Sequence, residues 1–256
     1  VHALAKWKRM ALYKYGLTAG EGLYTDMNAI RRDEEMDNLH SVYVDQWDWE
    51  KVITPAERTT AYLQSTVRAI YAAVSGTLDE LKALYPQLTL MLPAEVGFIT
   101  TQELEDLYPA LPPKARENAY LKTHKAVFLM QSGARRRSGG RHDGRAPDYD
   151  DWTLNGDLLF WNDVLGCAFE VSSMGIRVDR QALDAQLTEA GCDDRRTLTF
   201  HKLLLADKLP LTIGGGIGQS RLSMLLLGKA HIGEVQVSVW DDETTRVCSE
   251  SGVELL

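Results

Sequence analysis

The stretch TIGGGIGQSRLSMLLL, residues 212–227, constrains the fold more than any other segment. Four glycines in five residues stand directly before Gln219 and a leucine-rich run, which predicts a strand that turns at once into a helix. The segment lacks the Gly-Lys-Ser/Thr ending of a Walker loop and the third glycine of a dinucleotide fingerprint. Two interpretations stay open: tight packing at the turn, or close approach of the backbone to a flat or charged ligand. In the second, Arg221 in the first helical turn would reach that ligand, because its planar guanidinium suits a phosphate or a ring face.

Composition excludes several classes of protein. The chain has 256 residues, of which 45% are hydrophobic and 25% charged, as in a soluble globular domain. Its apolar runs are too short to cross a bilayer, and a net charge of −8 argues against a broad nucleic-acid surface. Three cysteines without a CxxC motif argue against zinc and favour reduced thiols in the cytosol. We therefore predict one cytoplasmic domain over residues 1–256, with no nucleic-acid or membrane partner.

Periodicity predicts an α+β fold built on an antiparallel sheet flanked by helices. An amphipathic helix opens the chain, and aromatic and β-branched alternation predicts a strand over residues 39–52. The capping box of residues 54–57 predicts the start of a long helix. Further segments are predicted as follows: a strand and a capped helix in 95–109, a strand at 125–130, a hairpin in 156–173, and helices at 180–191 and 198–206.

The hairpin is the most informative place for chemistry. A four-residue turn over residues 162–165 would place Asp157 directly opposite Glu170. Two facing carboxylates in a cleft favour protonation of one of them or a bridging cation, and Mg²⁺ prefers one or two carboxylates together with substrate phosphates. The pair therefore suggests a metal–nucleotide site, although a shifted register with two solvated acids stays an alternative.

Polar residues elsewhere leave similar alternatives. The predicted strand places Gln46, Asp48 and Glu50 on one face, which is either solvent-exposed or the floor of a ligand site. The run of residues 135–137, three arginines, is predicted to be a solvated charge cluster. Arg145 differs, because Pro147 stiffens its approach to the acids of residues 148–151. Such a group could bind both the carboxylate and the ammonium of an amino acid.

Two blocks resemble the motifs of a known class of enzymes. Arg31 with Asp33-Glu34 and the strand that follows is similar to motif 2 of class II aminoacyl-tRNA synthetases, and Gly216-x-Gly218-x-x-Arg221 is similar to their motif 3. A closer resemblance covers nearly the whole chain. The blocks HSVYVDQWDWE, RAPDYDD, LNGD, FEVSSMGIRVD and TIGGGIGQSRL occur in the order typical of ammonia-dependent asparagine synthetases, the type A aspartate–ammonia ligases.

The resemblance implies a class II synthetase-like antiparallel sheet in a homodimer. It also implies a reaction in which aspartate and ATP form β-aspartyl-adenylate and pyrophosphate, and ammonia then gives asparagine and AMP. The implied ligands are therefore aspartate, ammonia, ATP and Mg²⁺.

The resemblance also implies residue roles. Arg31 would hold the α-phosphate, and Arg221 would cover the adenine and reach the γ-phosphate above a floor that contains Gly216 and Gly218. The adenine end would meet Glu34 and the backbone of Leu39, His40, Ser41 and Val42. Asp157 and Glu170 match the metal-binding acids. The positions around the aspartate are Lys8, Gln46, Asp48, Arg145, Asp150 and Ser173, and the implied catalytic set is Arg31, Arg221, Lys8 and Asp48.

Three departures from the family accompany the resemblance. The family has a segment before Val1 that carries motif 1, a loop is expected between Trp152 and Leu154, and Ala3 stands where a serine is expected. We predict that the first two parts are missing from this sequence. An aspartyl- or asparaginyl-tRNA synthetase core and a non-catalytic synthetase-like module are the competing hypotheses.

Overall fold

A computed structural model describes residues 3–33 and 35–256. Its elements in chain order are α1 (Leu4–Tyr15), β1 (Gly22–Ile30), β2 (Tyr43–Val52), α2 (Thr60–Leu84), β3 (Gly97–Thr100), α3 (Thr101–Leu107), α4 (Pro113–His124), β4 (Ala126–Met130), β5 (Asp150–Asn162), β6 (Cys167–Arg177), α5 (Arg180–Glu189), α6 (Thr199–Leu205), β7 (Thr212–Gly218), α7 (Gln219–Leu227) and α8 (Asp242–Glu250). Within these residues, no helix combines the length and the apolar character needed to cross a bilayer.

The strands described by the model form one seven-stranded sheet in the order β1-β2-β7-β6-β5-β4-β3. All neighbours run antiparallel except β3 and β4, which are parallel. The predicted α+β architecture is confirmed. The structure adds β1, α4 and α8 to it. The alternation of β1 is easily missed, because its side chains are only exposed or half-buried at the sheet edge.

The two faces of the sheet are packed differently. On one face, α2 and α7 pack on the strands in the largest hydrophobic cluster, which includes Val67 and Phe160. On the other face, α3 and α4 pack in a smaller cluster that includes Leu104, Leu121 and Leu159. Phe160 and Leu159 are neighbours on β5 and enter opposite clusters, as the period of two requires. Polar side chains that share the face of Leu159 are therefore placed away from the main core.

Two element boundaries differ from the sequence prediction. The strand predicted from Leu39 begins at Tyr43, because residues before it form a loop in which the Asp37 carboxylate accepts from the backbone of Leu39 and His40. The capping box at Thr54 and Glu57 is present but opens only a 3₁₀ turn. The long helix begins at Thr60, with its own N-cap from Thr59. Two competing caps lie five residues apart, and local signals do not decide which one starts the helix.

The predicted hairpin register is wrong. The turn occupies residues 163–166, and Asp157 pairs with Ser173 instead of Glu170. Glu170 pairs with Leu159, and a β-bulge between Leu158 and Leu159 leaves one extra residue on β6. The turn is shifted because the Asn162 side chain accepts hydrogen bonds from the backbone of two residues inside it, while Asn162 itself stays in the ladder. An Asx turn thus fixes the connection one residue later than predicted.

Candidate active site

A row of paired residues crosses the face of the sheet opposite the main core. Asp48 pairs with Gly216, Gly216 with Ser173, and Ser173 with Asp157. Residues paired in antiparallel strands point to the same face, so this row gathers side chains from β2, β6 and β5 around one glycine. The bulge next to Leu159 adds Glu170 to the same face, because it shifts the alternation of β6 between Glu170 and Ser173.

A cavity of about 770 Å³ lies above this row. Most of the residues singled out from the sequence line it: Arg31, Leu39, His40, Ser41, Gln46, Asp48, Arg145, Asp150, Glu170, Ser173, Gly216, Gly218 and Arg221. Lys8, Val42 and Asp157 do not line it, and Glu34 lies outside the described residues. One cavity thus brings together the residues expected at the nucleotide and those expected at the amino acid.

The glycines of β7 serve close approach rather than unusual backbone angles, since none of them has a positive φ. A Cβ on Gly214 would lie 2.1 Å from Glu50 Oε2 and 2.6 Å from Arg177 Nη2. A Cβ on Gly216 would lie 3.0 Å from both Asp48 Oδ2 and Gln46 Oε1. The packing interpretation of the glycine run is confirmed at Gly214, and Gly216 leaves the cavity floor without a side chain, as the ligand interpretation requires.

The start of α7 presents Arg221 to the cavity, as the sequence predicts. The helix begins at Gln219, and Arg221 Nη1 donates to the Glu170 carbonyl at 3.1 Å. Gly218 has no side chain with which to cap the helix, and Asp45 of β2 accepts instead from the Ser220 amide at 3.1 Å. Arg31 follows β1 and also lines the cavity, and its backbone N–H donates to the Val42 carbonyl at 2.7 Å.

Arg145 joins Ser173 and Asp157. Its Nη1 donates to Ser173 Oγ at 2.8 Å, and its Nη2 pairs with Asp157 Oδ2. Ser132 Oγ donates to the same carboxylate oxygen at 2.7 Å, whereas the buried Asp157 Oδ1 has no hydrogen-bond partner. Burial and the nearby Asp157 charge both raise the pKa of Glu170. The carboxylate pair therefore carries repulsion and a free buried acceptor, both of which a cation would relieve.

A buried ionic network supports the other end of the cavity. Lys8 Nζ pairs with Asp48, donates to the Trp49 carbonyl at 2.9 Å and lies 3.9 Å from Glu50 Oε2. Arg177 bridges Glu50, at 2.9 Å, and Asp150. Burial lowers the pKa of Lys8 and raises that of Asp150.

Arg177 lines the cavity, and the sequence prediction missed it. The signal was available in the alternation, because Ser173, Gly175 and Arg177 are two residues apart on one strand. Gly175 and Gly214 pair directly; the Glu50–Arg177 ion pair occupies the space beside Gly214, and Asp150, the other partner of Arg177, lies against Gly175. The position of Arg177 thus depends on glycines in two strands that are distant in sequence.

The prediction of a fully solvated arginine run is wrong for one member. Arg135 and Arg137 are exposed, but the side chain of Arg136 is only 8% exposed and pairs with Glu105 of α3 at 2.5 Å. Arg116 of α4 donates to the same Glu105 oxygen at 2.9 Å. The loop that carries these arginines is therefore attached to α3 by ion pairs, which a count of charges in the sequence does not reveal.

Comparison with known proteins places the chain in a family. It matches the family model described as aspartate–ammonia ligase over residues 1–252. The aspartate–ammonia ligase of Ruminiclostridium cellulolyticum is 60% identical over 256 residues, which are 100% of this chain and 76% of that protein. The aspartate–ammonia ligase of Clostridium tetani is 61% identical over 256 residues, 100% of this chain and 75% of that protein.

Solved structures show the same fold at much lower identity. An aspartyl-tRNA synthetase from Entamoeba histolytica has a TM-score of 0.67 at 16% identity, over 95% of this chain and 52% of that one. An asparaginyl-tRNA synthetase from Pyrococcus horikoshii, complexed with asparaginyl-adenylate, has a TM-score of 0.64 at 15% identity, over 90% of this chain and 54% of that one. The predicted class II synthetase-like fold is confirmed, and this chain spans about half the length of each synthetase chain. The identity of about 60% to the ligases carries the assignment, and the chain belongs to the aspartate–ammonia ligase family.

Proposed function

We propose that this cavity makes asparagine from aspartate, ammonia and ATP through β-aspartyl-adenylate. The supporting observation is the shared floor, on which Gly216 lies between Asp48 and Ser173, with Arg221 at the start of the next helix. The residues predicted to bind an amino acid and those predicted to bind a nucleotide therefore meet at one glycine. A β-carboxylate and an α-phosphate bound on the two sides of it would be brought into contact.

The first step joins two anions, so the wall must neutralise charge. An oxygen of the aspartate β-carboxylate forms a bond to the α-phosphorus, the bond between that phosphorus and the bridging oxygen breaks, and pyrophosphate leaves with the electron pair. Arg31 and Arg221 bind the phosphates and lower the repulsion, which is the contribution of preorganised charges to such a transfer. Arg145, held by Ser173, binds a substrate carboxylate in a bidentate way that suits its guanidinium.

The second step uses the acids of the wall. The nitrogen lone pair of ammonia attacks the β-carbonyl carbon, the bond from that carbon to the phosphate oxygen breaks, and AMP leaves. The nitrogen gives up a proton to Asp48 or Asp150, both of which line the cavity. The division of roles between these two acids stays open. Lys8 holds Asp48 in place from behind the wall.

Asp157 and Glu170 fit a magnesium ion bound together with ATP. Within the described residues, no three His, Cys, Asp or Glu side chains cluster in a metal site. Two carboxylates plus substrate phosphates are nevertheless a normal Mg²⁺ environment, and the partnerless Asp157 Oδ1 fits it. Bound there, the ion would neutralise charge on the phosphates. The homodimer and the cytoplasmic location stay predictions.

The function is tested by measuring AMP and asparagine together. The full-length protein is incubated with ATP, Mg²⁺, aspartate and ammonium in the absence of tRNA, and equal amounts of both products are expected. Pyrophosphate exchange without asparagine would indicate another acceptor, such as tRNA, and no ATP turnover would indicate a non-catalytic module. Arg221→Ala is expected to lower AMP formation by about a thousand-fold, as for loss of a charge-stabilising group. Normal activity of that variant would contradict the role given to Arg221.

A further inference from the structure

A polar network connects four segments at the cavity wall. It consists of Ser41 in the loop before β2, Asp45 on β2, Ser220 on α7, and Gln236 in the segment after α7. Gln236 is 5% exposed and lines the cavity together with Ser41 and Asp45. No motif of the resemblance includes Gln236.

The hydrogen bonds of the network run in a defined direction. Gln236 Nε2 donates to Ser220 Oγ at 2.9 Å, and Ser220 Oγ donates to Asp45 Oδ2 at 2.6 Å. Ser41 Oγ lies 2.5 Å from Gln236 Oε1 and 2.7 Å from the Tyr43 carbonyl oxygen, so its single proton is shared between these two acceptors. The carboxylate of Asp45 lies 3.4 Å from Gln236 Nε2 and only accepts, which fixes the amide nitrogen on that side.

The network joins two segments to each other, and both are expected to hold the nucleotide. Asp45 caps α7 from outside the helix, one residue before Arg221, through the Ser220 amide and hydroxyl. Ser41 belongs to the segment whose backbone is expected at the adenine. Gln236 forms hydrogen bonds to both Ser41 and Ser220. It therefore determines the distance between the segment of Ser41 and the start of α7.

We propose that Gln236 is a positioning residue for ATP, acting through Ser41 on the adenine side and through Ser220 on the helix that presents Arg221. The inference rests on the proposed function only in assuming that a nucleotide binds this cavity. An apolar residue of the same size would fill the space equally well, but it would remove the donor to Ser220 Oγ and the acceptor beside Ser41 Oγ. The polar side chain of Gln236 is therefore explained by its hydrogen bonds, which orient Ser41 and Ser220.

A reciprocal exchange of amide and carboxylate tests the proposal. In Gln236→Glu, two carboxylates face each other and compete for the single proton of Ser220. In Asp45→Asn, Ser220 receives two donors and its own proton loses its acceptor. In the double variant, the new amide at position 45 donates to Ser220 and Ser220 donates to the new carboxylate at position 236, so the chain of hydrogen bonds is complete again in the opposite direction.

The expected result is a KM for ATP raised about ten-fold in each single variant, the effect of roughly one buried hydrogen bond. The KM for aspartate should stay within about two-fold, because the network does not contact Arg145 or Asp150. The double variant should recover to within about three-fold of wild type. Gln219→Glu is the matched control, since Gln219 also donates to an acid, Asp26, but this hydrogen bond is exposed and Gln219 does not line the cavity. It should leave the KM for ATP unchanged.

Binding of α,β-methylene-ATP, measured by calorimetry on the same variants, separates this proposal from the function. If wild type makes no asparagine but the analogue follows the expected pattern of dissociation constants, the proposed reaction fails and the role of Gln236 stands. Unchanged ATP binding in Gln236→Glu, additive losses in the double variant, or equal losses for ATP and aspartate would overturn the proposal. If Gln236→Glu does not fold, Gln236→Met, which keeps the length and removes the polar atoms, must show the same selective loss for ATP.

Discussion

Replacing Gly214 by alanine should destabilise the protein far more than the same change at Gly218. The added methyl at Gly214 would lie 2.1 Å from Glu50 Oε2, 2.6 Å from Arg177 Nη2 and 2.6 Å from the Trp49 carbonyl. The carbonyl belongs to the ladder between β2 and β7, so it cannot move without loss of pairing. The two charged groups are buried and form an ion pair, so they cannot move into solvent.

The magnitude follows from these contacts. Overfilling a packed site costs about 1–3 kcal/mol, and separating a buried ion pair costs about 3–5 kcal/mol. We therefore expect Gly214→Ala to lower the free energy of unfolding by about 3 kcal/mol or more, which is about 6–12 °C in Tm for a chain of this size. At Gly218 the nearest atoms would be Arg221 Cβ at 3.4 Å and the Val171 carbonyl at 3.6 Å, which are ordinary contacts.

Thermal and urea unfolding of the two variants beside wild type give the comparison. Gly218→Ala should stay within about 0.5 kcal/mol, as expected for a change without a steric conflict. A similar loss of Tm in both variants, or an unchanged Tm in Gly214→Ala, would refute the assignment of Gly214 to packing around the Glu50–Arg177 pair.

Two further predictions concern single carboxylates. Glu170→Gln should raise the Mg²⁺ concentration for half-maximal AMP formation about ten-fold or more, because it removes a ligand. It should also raise Tm, because it removes the repulsion from Asp157. An unchanged Mg²⁺ titration would rule out Glu170 as a ligand. Burial alone would raise the pKa of Asp148, but hydrogen bonds from His201 and Lys6 hold it below its ordinary value of 3.8. The stabilisation by this buried carboxylate is therefore complete above pH 3.8 and is lost as the pH falls further. Urea unfolding at a series of pH values should show Asp148→Asn about 3–5 kcal/mol less stable than wild type near neutral pH, with a smaller difference in acid; a difference independent of pH would contradict this account.

The sequence predicts best where the signals are local. The glycine run, the helix that follows it and the placement of Arg221 in its first turn all depend on neighbours in sequence, and the structure confirms each. The prediction for the hairpin fails because its register depends on one side chain, Asn162, and on a bulge that pairing rules do not foresee. Even so, Asp157 and Glu170 share a face, because the bulge restores the alternation that the wrong register had assumed.

The contacts among the buried charges are the part that sequence reasoning could not reach. Arg177, Glu50 and Lys8 come from β6, β2 and α1, and nothing in sequence connects them. The contact between Glu50 and Arg177 requires Gly214, because a Cβ there would occupy their space, and the facing Gly175 leaves room for Asp150, the second partner of Arg177. A glycine in a sequence is normally assigned to a turn or to the close approach of a ligand. Here the residues next to each glycine across the sheet determine its role.

Register also determines how the glycines of β7 divide their roles. Gly214 pairs with Glu50 and Gly216 pairs with Asp48, two residues further along the same strands. A side chain at the first position would displace a buried ion pair, and a side chain at the second would project between Asp48 and Gln46 at the floor of the cavity. Gly216 was assigned to the nucleotide by resemblance, but its contacts are with the residues expected at the aspartate. In the proposed reaction, the floor is therefore bare at the point where the two substrates would touch, and the buried Glu50–Arg177 ion pair lies beside that point.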